Sequence, residues 1–275
     1  MNFKQRIKSI VNFLRKPKVL KADIYYLAPD KRLSGKKIII TGGGRGLGFA
    51  MAKKFVAEGA NVLITGRNED TLKKAASELG CHYIVFDVSN FAEIDQFVNK
   101  ADQILDGANV LVNNAGISLH EGNIRNVSEE QFDKQFNTNL KAVYFLTQKF
   151  LENYESNNRT KGSVLFLSSE RGQYVDDIPY GLIKSAINSF TKGLSKLLIN
   201  KDIRFNAVAP GITATDMTRR SADNLYAPNY STGRYYLPEE VAEIACFLIS
   251  DAASCLSGQI LVCNNGFSNN SYKKC

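Results

Sequence analysis

The chain passes from strand to helix at Thr41-Gly-Gly-Gly-Arg-Gly-Leu-Gly48, a turn that ends the apolar run Lys37–Thr41 and opens an amphipathic stretch over 47–58. Glycine lets the backbone bend sharply and approach an anionic group, whose charge then meets the helix N-terminus. Such a turn alone is weak evidence, but between a strand and a helix it is the setting in which a pyrophosphate binds. The predicted dinucleotide-binding residues of the turn are Gly42, Arg45, Gly46, Leu47 and Gly48.

The alternation of strand and helix continues along the chain. The predicted strands are Lys37–Thr41, Asn61–Thr65, His82–Phe86, Asn109–Asn113, Ser163–Ser168, Ile203–Val208 and Gln259–Cys263. The predicted helices cover 47–58, 69–79, 91–105, 129–153, 180–200 and 238–250, with a capping box at Ser128–Gln131 and Pro238 in a first turn. Each strand is a nearly continuous apolar run, as is typical of parallel strands covered on both faces. We therefore expect an α/β fold with one doubly wound parallel sheet of seven strands and helices on both faces.

The net charge of +8 is concentrated at the N-terminus. Residues 1–21 contain seven Lys and Arg and no acid, so they carry +7 and leave +1 for the rest. A nearly neutral body predicts no nucleic-acid partner. The five cysteines show no metal-ligand spacing, which predicts reduced thiols, a cytoplasmic location and no metal site. No apolar run approaches the roughly 20 residues of a membrane span, and the N-terminus lacks the pattern of a signal peptide.

Tyr180 and Lys184 lie four residues apart in a predicted helix, 11 residues or more after Ser169. Residues at i and i+4 share a helix face, so the ammonium group is expected to lower the pKa of the phenol. Free tyrosine titrates near 10, so acid/base work near pH 7 requires a shift of about three units, or about 4 kcal/mol. The pair predicts an acid/base at Tyr180, with Ser169 as a donor to developing negative charge on a carbonyl oxygen.

Two arginines bear on the choice of dinucleotide. Gly66 stands at the end of the second strand, where NAD binders carry an acid for the ribose hydroxyls, and Arg67 follows it. Arg45 lies within the glycine turn. Two guanidinium groups without a carboxylate favour a 2′-phosphate, which predicts NADP(H) over NAD(H). The alternative is that either arginine points to solvent.

Together these residues resemble the short-chain dehydrogenase/reductase family, from about Leu33 to about Phe267. The motifs that carry the resemblance are Thr41–Gly48, Asp87-Val88, Asn113-Asn-Ala-Gly116, Asn139 within Asn137–Leu140, Ser169, Tyr180-Gly-Leu-Ile-Lys184, and Asn206-Ala-Val-Ala-Pro-Gly211 with Thr213 and Thr215. The resemblance implies a Rossmann-type fold and an NADP(H)-dependent oxidoreductase that interconverts a carbonyl and a secondary alcohol on a small-molecule substrate.

The resemblance also implies a role for each motif. Tyr180 would donate a proton to the substrate oxygen, Ser169 would donate a hydrogen bond to it, and Lys184 would bind the nicotinamide ribose. Asn139 would help to hold a water that links Lys184 to solvent. The remaining cofactor contacts would come from Asp87, Val88, Asn114, Ala115, Gly116, Pro210, Gly211, Thr213 and Thr215.

Two segments interrupt the alternation of elements. Residues 1–33 precede the first strand, and residues 211–236 form a long connection rich in Tyr, Asn, Ser and Thr. Connections of that length are commonly lids or binding segments. We expect a basic extension over 1–33 and a single catalytic domain over 34–275 with a substrate lid at 211–236. An apolar stripe in the extension predicts contact with an anionic membrane, packing on a subunit or a frayed end; it comprises Phe3, Ile7, Ile10, Val11 and Leu14.

The sequence departs from the family pattern at three places. The separation of Ser169 from Tyr180 is 11 residues, one or two fewer than in relatives, which predicts a tighter loop; Ser168 is the alternative serine. Glu170 and Arg171 follow the serine and either select a polar substrate or pair with each other. Asn264-Asn-Gly266 stands where relatives commonly carry an acid and two glycines, which is expected to alter a subunit contact.

Two classes of function remain open from the sequence. One is the enzyme; the other is a catalytically silent nucleotide-sensing or scaffolding domain on the same fold. A binding domain needs no phenol–ammonium pair, so the pair favours the enzyme. The helices predicted at 129–153 and 180–200 are apolar on more than one face, and the family resemblance implies that they form the interface of a homodimer or homotetramer.

Overall fold

The computed structural model describes residues 20–21, 30–228, 230 and 232–268. Within them the chain forms one parallel sheet with the strand order β3-β2-β1-β4-β5-β6-β7. The strands are β1 Lys37–Thr41, β2 Asn61–Gly66, β3 His82–Val85, β4 Val110–Asn113, β5 Gly162–Leu167, β6 Ile203–Pro210 and β7 Ile260–Cys263. The predicted seven-stranded, doubly wound sheet of the Rossmann type is confirmed.

Helices cover both faces of the sheet. The helices are α1 Gly46–Ala57, α2 Glu69–Leu79, α3 Ile94–Leu105, α4 Glu129–Phe136, α5 Ala142–Ser156, α6 Pro179–Leu197 and α7 Pro238–Ile249. The apolar sides of α1, α2 and α7 pack on one face, and those of α3, α5 and α6 pack on the other. The sheet therefore separates two hydrophobic cores.

The strands read as continuous apolar runs because successive side chains enter opposite cores. In β1, Ile39 faces the core under α3, α5 and α6, while Ile38 and Ile40 face the core under α1 and α7. All three are fully buried. Period-two alternation with both faces covered therefore favours apolar side chains at most positions, and the buried polar exceptions include Thr65, Ser163 and Asn206.

The observed element boundaries differ from the predicted ones by a few residues, with one difference of substance. The helix predicted over 129–153 is two helices, α4 and α5, joined by a π-helical turn at Asn137–Lys141. The predicted capping box at the start of α4 is present, since the Ser128 hydroxyl accepts from the Gln131 amide and the Gln131 side chain accepts from the Ser128 amide. Pro238 occupies the first turn of α7, as predicted.

The strand order places a crevice at the carboxyl ends of β1 and β4. After β3 the chain crosses from the β2 side of β1 to β4 on its other side, so the loops after β1 and β4 diverge over opposite faces of the sheet. In open α/β sheets ligands bind at such a reversal. The glycine turn follows β1 directly and therefore borders the crevice.

Part of the predicted N-terminal extension packs on this domain. Leu33 is fully buried, and its amide donates to the Glu58 carbonyl at 3.0 Å. The Arg32 guanidinium pairs with the Glu58 carboxylate. The predicted apolar stripe from Phe3 to Leu14 lies outside the described residues. Among the residues that are described, no helix has both the length and the hydropathy to cross a membrane.

Candidate active site

A cleft of about 490 Å³ opens at the crevice between β1 and β4. Most of the predicted cofactor-binding and catalytic residues line it. The predicted residues on its wall are Gly42, Arg45, Gly46, Leu47, Gly48, Arg67, Asp87, Val88, Asn114, Ala115, Gly116, Tyr180, Lys184 and Thr215. The structure thus brings the glycine turn and the Tyr180–Lys184 pair, more than 130 residues apart in sequence, to one cavity.

The glycine turn is shaped by close backbone approach. A Cβ at Gly48 would lie 2.1 Å from the carbonyl oxygen of Gly42, a distance that no side chain can accept. Gly42 has φ +66°, and a Cβ there would lie 3.0 Å from the Cα of Ala115. Glycine is required at both positions, by contact at Gly48 and by backbone conformation at Gly42.

Side chains from β1 and the end of β4 brace the turn. The Asn114 side-chain amide donates to the carbonyl oxygens of Thr41 at 2.8 Å and Gly42 at 3.0 Å. In return, the Thr41 hydroxyl accepts from the backbone amides of Asn114 and Ala115, both at 3.0 Å. Asn114 therefore fixes the cleft wall rather than offering its amide group to a ligand.

The N-terminus of α1 is built to receive an anion. The helix begins at Gly46, its first turn contains no acid, and its N-cap residue Arg45 makes no side-chain capping bond with any described residue. The first N–H groups of a helix lack intrahelical partners, and they lie at the positive end of the helix dipole. With the cleft directly in front, these groups fit a pyrophosphate.

Arg45 and Arg67 stand at the rim of the cleft with their guanidinium groups largely exposed. The Arg45 side chain is 75% exposed and reaches Asp216 only at 3.5 Å, and the Arg67 side chain is 67% exposed and lies 3.9 Å from Asp87. These long, solvent-exposed ion pairs hold the arginines weakly. Both side chains remain able to turn toward a phosphate at the rim.

Tyr180 lines the cleft, and Ser169 lies beside Tyr180 without being part of the cleft wall. The Tyr180 side chain, near the start of α6, is hydrogen-bonded to the Ser169 side chain. Ser168, the alternative serine, is 5% exposed; its hydroxyl donates to the Asn188 side-chain oxygen at 2.6 Å and lies 3.3 Å from the Lys184 carbonyl oxygen. Ser168 therefore anchors β5 to α6, whereas Ser169 is the serine beside the phenol.

The pKa of Tyr180 is raised by burial, and hydrogen bonding from Ser169 and the charge of Arg171 oppose that rise. This direction differs from the expected lowering by Lys184. The Lys184 ammonium lies 5.5 Å from the centre of the Tyr180 ring and donates to the Leu167 carbonyl at 2.6 Å, so it is directed at the end of β5. Burial lowers the pKa of Lys184 itself to about 8.

Asn139 lies behind the cleft wall in the π-helical turn. Its side chain accepts from the Ile117 amide at 2.8 Å and donates to the Ile117 carbonyl at 2.7 Å. Both polar atoms of the side chain are thus engaged by one backbone segment, and Ile117 lines the cleft. This side chain therefore bridges backbone groups, a common role of a buried asparagine, and the expected help in holding a water stays a prediction.

Pro210, Gly211 and Thr213 do not line the cleft, although the sequence analysis placed them beside the cofactor. Pro210 ends β6, the Gly211 amide donates to the Cys263 carbonyl at 3.0 Å, and the Thr213 hydroxyl donates to the Gly211 carbonyl at 3.0 Å. These residues shape the turn after β6, and Thr215 is the member of the stretch that reaches the cavity.

The loop between Ser169 and Tyr180 is tight, as its length predicts. Arg171 forms a two-point ion pair with Asp176, donating through Nε and an Nη at 2.7 Å each. A Cβ at position 181 would lie 1.9 Å from an Asp176 oxygen, so Gly181 lets the loop fold against the start of α6. The expected pairing of Glu170 with Arg171 is corrected here, because Arg171 pairs with Asp176 and the Glu170 side chain points toward Tyr230 and Asn264. Selection of a polar substrate stays a prediction.

Several cleft residues were not predicted from the sequence. They are Gly44, Asn68, Thr71, Leu72, Phe86, Ile117, Thr138, Leu167, Asp216 and Met217. Gly66 and Ser168, which the sequence singled out without assigning them to the site, also line the cleft. For some of the unpredicted residues the sequence holds an indication. Asn68 accepts from the Thr71 amide as the cap of α2, and Ile117 directly follows the predicted site residue Gly116. Asp216 and Met217 belong to the long connection after β6, whose path no periodicity predicts.

Known proteins match this chain over almost the whole of the domain. The family model described as enoyl-(acyl carrier protein) reductase matches residues 42–268. The chain is 34% identical over 249 residues to 3-oxoacyl-(acyl-carrier-protein) reductase FabG of Chlamydia trachomatis, covering 85% of this chain and 98% of the relative. It is also 34% identical over 241 residues to a 3alpha-hydroxysteroid dehydrogenase of Mediterraneibacter gnavus, covering 83% and 95%.

Solved structures agree with these sequence relatives. A short chain dehydrogenase from Burkholderia cenocepacia, crystallised in complex with NADP, superposes with a TM-score of 0.77 at 27% identity. The match covers 86% of this chain and 99% of that one. A dehydrogenase/reductase from Sinorhizobium meliloti gives a TM-score of 0.78 at 27% identity, covering 88% and 98%.

Proposed function

The chain belongs to the short-chain dehydrogenase/reductase family, and from that premise we propose that it is an NADP(H)-dependent oxidoreductase that interconverts a carbonyl and a secondary alcohol. One observation carries the proposal. Tyr180, hydrogen-bonded to Ser169 and neighboured by Lys184, shares a cleft with a glycine turn and an uncapped helix N-terminus. An acid/base group and a pyrophosphate site in one cavity are what such a reaction requires.

The described residues fit NADP(H). The amides at the start of α1 would hold the pyrophosphate, with Gly42 and Gly48 allowing the approach. Arg45 and Arg67 would bind the 2′-phosphate, since guanidinium groups pair with phosphate oxygens through charge-assisted hydrogen bonds. We assign the adenine contacts to Asp87 and Val88 and the nicotinamide side to a set of strand-end residues. That set is Asn114, Ala115, Gly116 and Thr215, and Pro210, Gly211 and Thr213 shape the turn that brings Thr215 to the cavity.

When bound, NADPH supplies a hydride to the carbonyl carbon. The chain's own groups act on the carbonyl oxygen. Ser169 donates a hydrogen bond to this oxygen and so stabilises the negative charge that develops there. Tyr180 then transfers its proton to the oxygen. The raised pKa keeps that proton in place at neutral pH, which suits the reductive direction.

Lys184 and Asn139 support this transfer from behind. With a pKa of about 8, Lys184 is mainly protonated at pH 7, and its charge favours loss of the Tyr180 proton as the reaction proceeds. Asn139 holds the Ile117 segment of the cleft wall through two hydrogen bonds. We propose that Asn139 keeps this wall in place and also helps to hold a water that links Lys184 to solvent.

Substitution of Tyr180 by Phe tests the assignment. Tyr180→Phe should lower kcat by about 10²- to 10⁴-fold, the usual contribution of general acid/base catalysis, with little change in the Kd for NADPH. Oxidation of NADPH would be followed with a 3-oxoacyl thioester, a ketosteroid, a quinone and a keto-sugar, and NADPH binding by its fluorescence. Normal turnover by the variant would refute the catalytic role of Tyr180.

The two rim arginines test the choice of cofactor. Arg45→Ala and Arg67→Ala should each weaken NADPH binding by about ten- to a hundredfold, because each removes a charge-assisted contact worth about 1.5–3 kcal/mol, while NADH binding is unchanged. Arg125→Ala, at an exposed arginine outside the cleft, serves as the control. Titration of each variant with both dinucleotides gives the answer, and equal losses for NADH and NADPH would contradict the assignment.

A catalytically silent nucleotide sensor on the same fold is the second candidate, and no contact in the described residues favours it. Its signature would be NADPH binding without turnover of any carbonyl probe. We further propose a homodimer or homotetramer and a cytoplasmic location. The four cysteines within the described residues are free thiols, which is consistent with a reducing compartment.

A further inference from the structure

Glu170 is a buried carboxylate next to the proposed active site. It directly follows Ser169, begins a short 3₁₀ turn over Glu170–Gln173 and is 5% exposed. Its two oxygens accept from neutral donors: the Tyr230 hydroxyl at 2.6 Å and the Asn264 side-chain amide at 2.8 Å. Burial of a carboxylate is unfavourable unless hydrogen bonds satisfy its oxygens. These two charge-assisted hydrogen bonds therefore hold Glu170 and its two partners in one arrangement.

The three residues of this Glu170 cluster, Glu170, Tyr230 and Asn264, come from three neighbouring strand ends. Glu170 lies in the loop after β5, Tyr230 in the connection after β6, and Asn264 directly after β7. Because β5, β6 and β7 are adjacent in the sheet, their carboxyl ends meet at one edge. One side chain thereby joins every loop on this side of the cleft.

Packing around the cluster leaves little freedom. The Tyr230 ring stacks on Phe267 with the centroids 4.5 Å apart. A Cβ at Gly211 would lie 2.7 Å from the Tyr236 ring and 3.1 Å from the Asn264 Cβ, so the first turn after β6 fills the space between them. The described residues of the 211–236 segment are therefore held both by contact and by the bond to Glu170.

We propose that Glu170 is a positioning and specificity-determining residue, which fastens the 211–236 segment against the loop of Ser169 and so sets the substrate side of the cleft. This inference rests on the proposed function and assigns no charge recognition to Glu170. Both carboxylate oxygens are engaged inside the protein, which leaves the substrate to be selected by the shape of the segment that Glu170 holds. Asn264 is then an internal donor to the active-site loop, a role that an acid at this position cannot fill.

The polarity of the Glu170–Asn264 bond supplies a matched pair of variants. Asn264→Asp places a second carboxylate against Glu170, and the two charges repel. Glu170→Gln in the same chain restores the bond in reverse, because the new amide donates to Asp while its oxygen still accepts from Tyr230. The double variant should therefore recover what the single variant loses, including folding if the single variant is unstable.

The first measurement is independent of activity. Arg219 and Arg220 lie exposed in the 211–236 segment, so trypsin reports how firmly the segment is held. N264D and Tyr230→Phe should be cut at least several-fold faster than the wild type, and the double variant E170Q/N264D at close to the wild-type rate. Tyr235→Phe, which removes a neighbouring hydroxyl that does not bond to Glu170, should leave the rate unchanged.

The second measurement separates substrate from cofactor. With acetoacetyl-coenzyme A and a cyclic ketone as probes, N264D should raise KM about tenfold for at least one probe, leave the Kd for NADPH unchanged, and return toward wild type in the double variant. Wild-type trypsin rates for N264D, or a double variant no better than the single one, would overturn the inference. A change in cleavage without a change in KM or probe preference would overturn the role in specificity.

Failure of the proposed function has a different signature. If the wild type oxidises NADPH with none of the carbonyl probes, the enzyme assignment fails, whereas the trypsin series still decides whether Glu170 holds the segment. If the wild type turns over a carbonyl probe but all the variants are cut by trypsin at the wild-type rate, the proposed function stands and the role of Glu170 is refuted.

Discussion

At the scale of single residues, the buried position of Lys184 serves the proposed catalysis but lowers the stability of the fold. Burial lowers its pKa from 10.5 to about 8, which corresponds to roughly 3 kcal/mol of unfavourable free energy for the charged form in the folded state. The unfolded chain binds more protons than the folded one between about pH 8 and 10.5. The contribution of Lys184 to stability therefore rises with pH across that window and is least favourable below it.

Lys184→Met should expose this cost. Without cofactor at pH 7, the variant is expected to be more stable than the wild type by up to roughly 3 kcal/mol, less the value of the lost bond to Leu167. The gap should shrink as the pH rises from about 8 toward 10.5, because the wild-type amine then becomes neutral in both states. Denaturant unfolding across this range measures it, with Lys192→Met on the exposed side of the same helix as control. A pH-independent gap would contradict the assignment.

Single residues were predictable from the sequence where chemistry and local spacing coincide. Tyr180 and Lys184 share a helix face at i and i+4, and both line the cleft as expected. The partners of Glu170 were not predictable, since Tyr230 is 60 positions away and Asn264 is 94. Contacts at such separations depend on the order of the strands and on the path of a long loop, which residue types do not encode locally.

At the scale of elements, the glycine turn and the helix that follows it act as one unit. The Gly42 carbonyl lies against the first turn of α1, so Gly48→Ala must push the helix away from β1. We expect a loss of several kcal/mol and of NADPH binding, as for other overpacked sites. Gly193→Ala in α6 is the matched control, because an added Cβ meets nothing within 4 Å there. The control should gain up to about 1 kcal/mol from helix propensity.

Unfolding and NADPH titration of both glycine variants would distinguish these cases. If Gly48→Ala retained full stability and cofactor affinity, the helix and the strand would not be in the close contact that the structure shows. A loss of stability in Gly193→Ala would mean that this surface of α6 is covered by another chain, which bears on the subunit contact considered below.

Elements were predictable where burial is uniform. Strands such as β1 were placed correctly because apolar side chains enter both cores along their whole length. The π-helical turn at Asn137–Lys141 was missed, since its residues also suit an α-helix. Within this turn Asn139 bonds to the backbone of Ile117, a tertiary contact that the local sequence does not encode.

At the scale of the whole molecule, apolar side chains remain exposed on the long helices. Tyr144 and Phe145 on α5 are 46% and 39% exposed, Phe132 on α4 is 39% exposed, and Leu182 on α6 is 46% exposed. Tyr144 also stacks on Phe190 of α6, so the two helices present a joint aromatic surface. Exposed apolar surface of this kind is typical of subunit interfaces.

Phe145→Glu tests whether this surface joins subunits. Light scattering should give a dimer or tetramer for the wild type and a smaller particle for the variant, because a buried, unpaired carboxylate opposes association. Val85→Glu, an equivalent change at a half-exposed valine on the edge strand β3, should leave the mass unchanged. A monomeric wild type would exclude the assembly. In an isologous interface the substituted residue lies in the same patch on both subunits. An unchanged mass for Phe145→Glu would therefore mean that the subunits meet through another face.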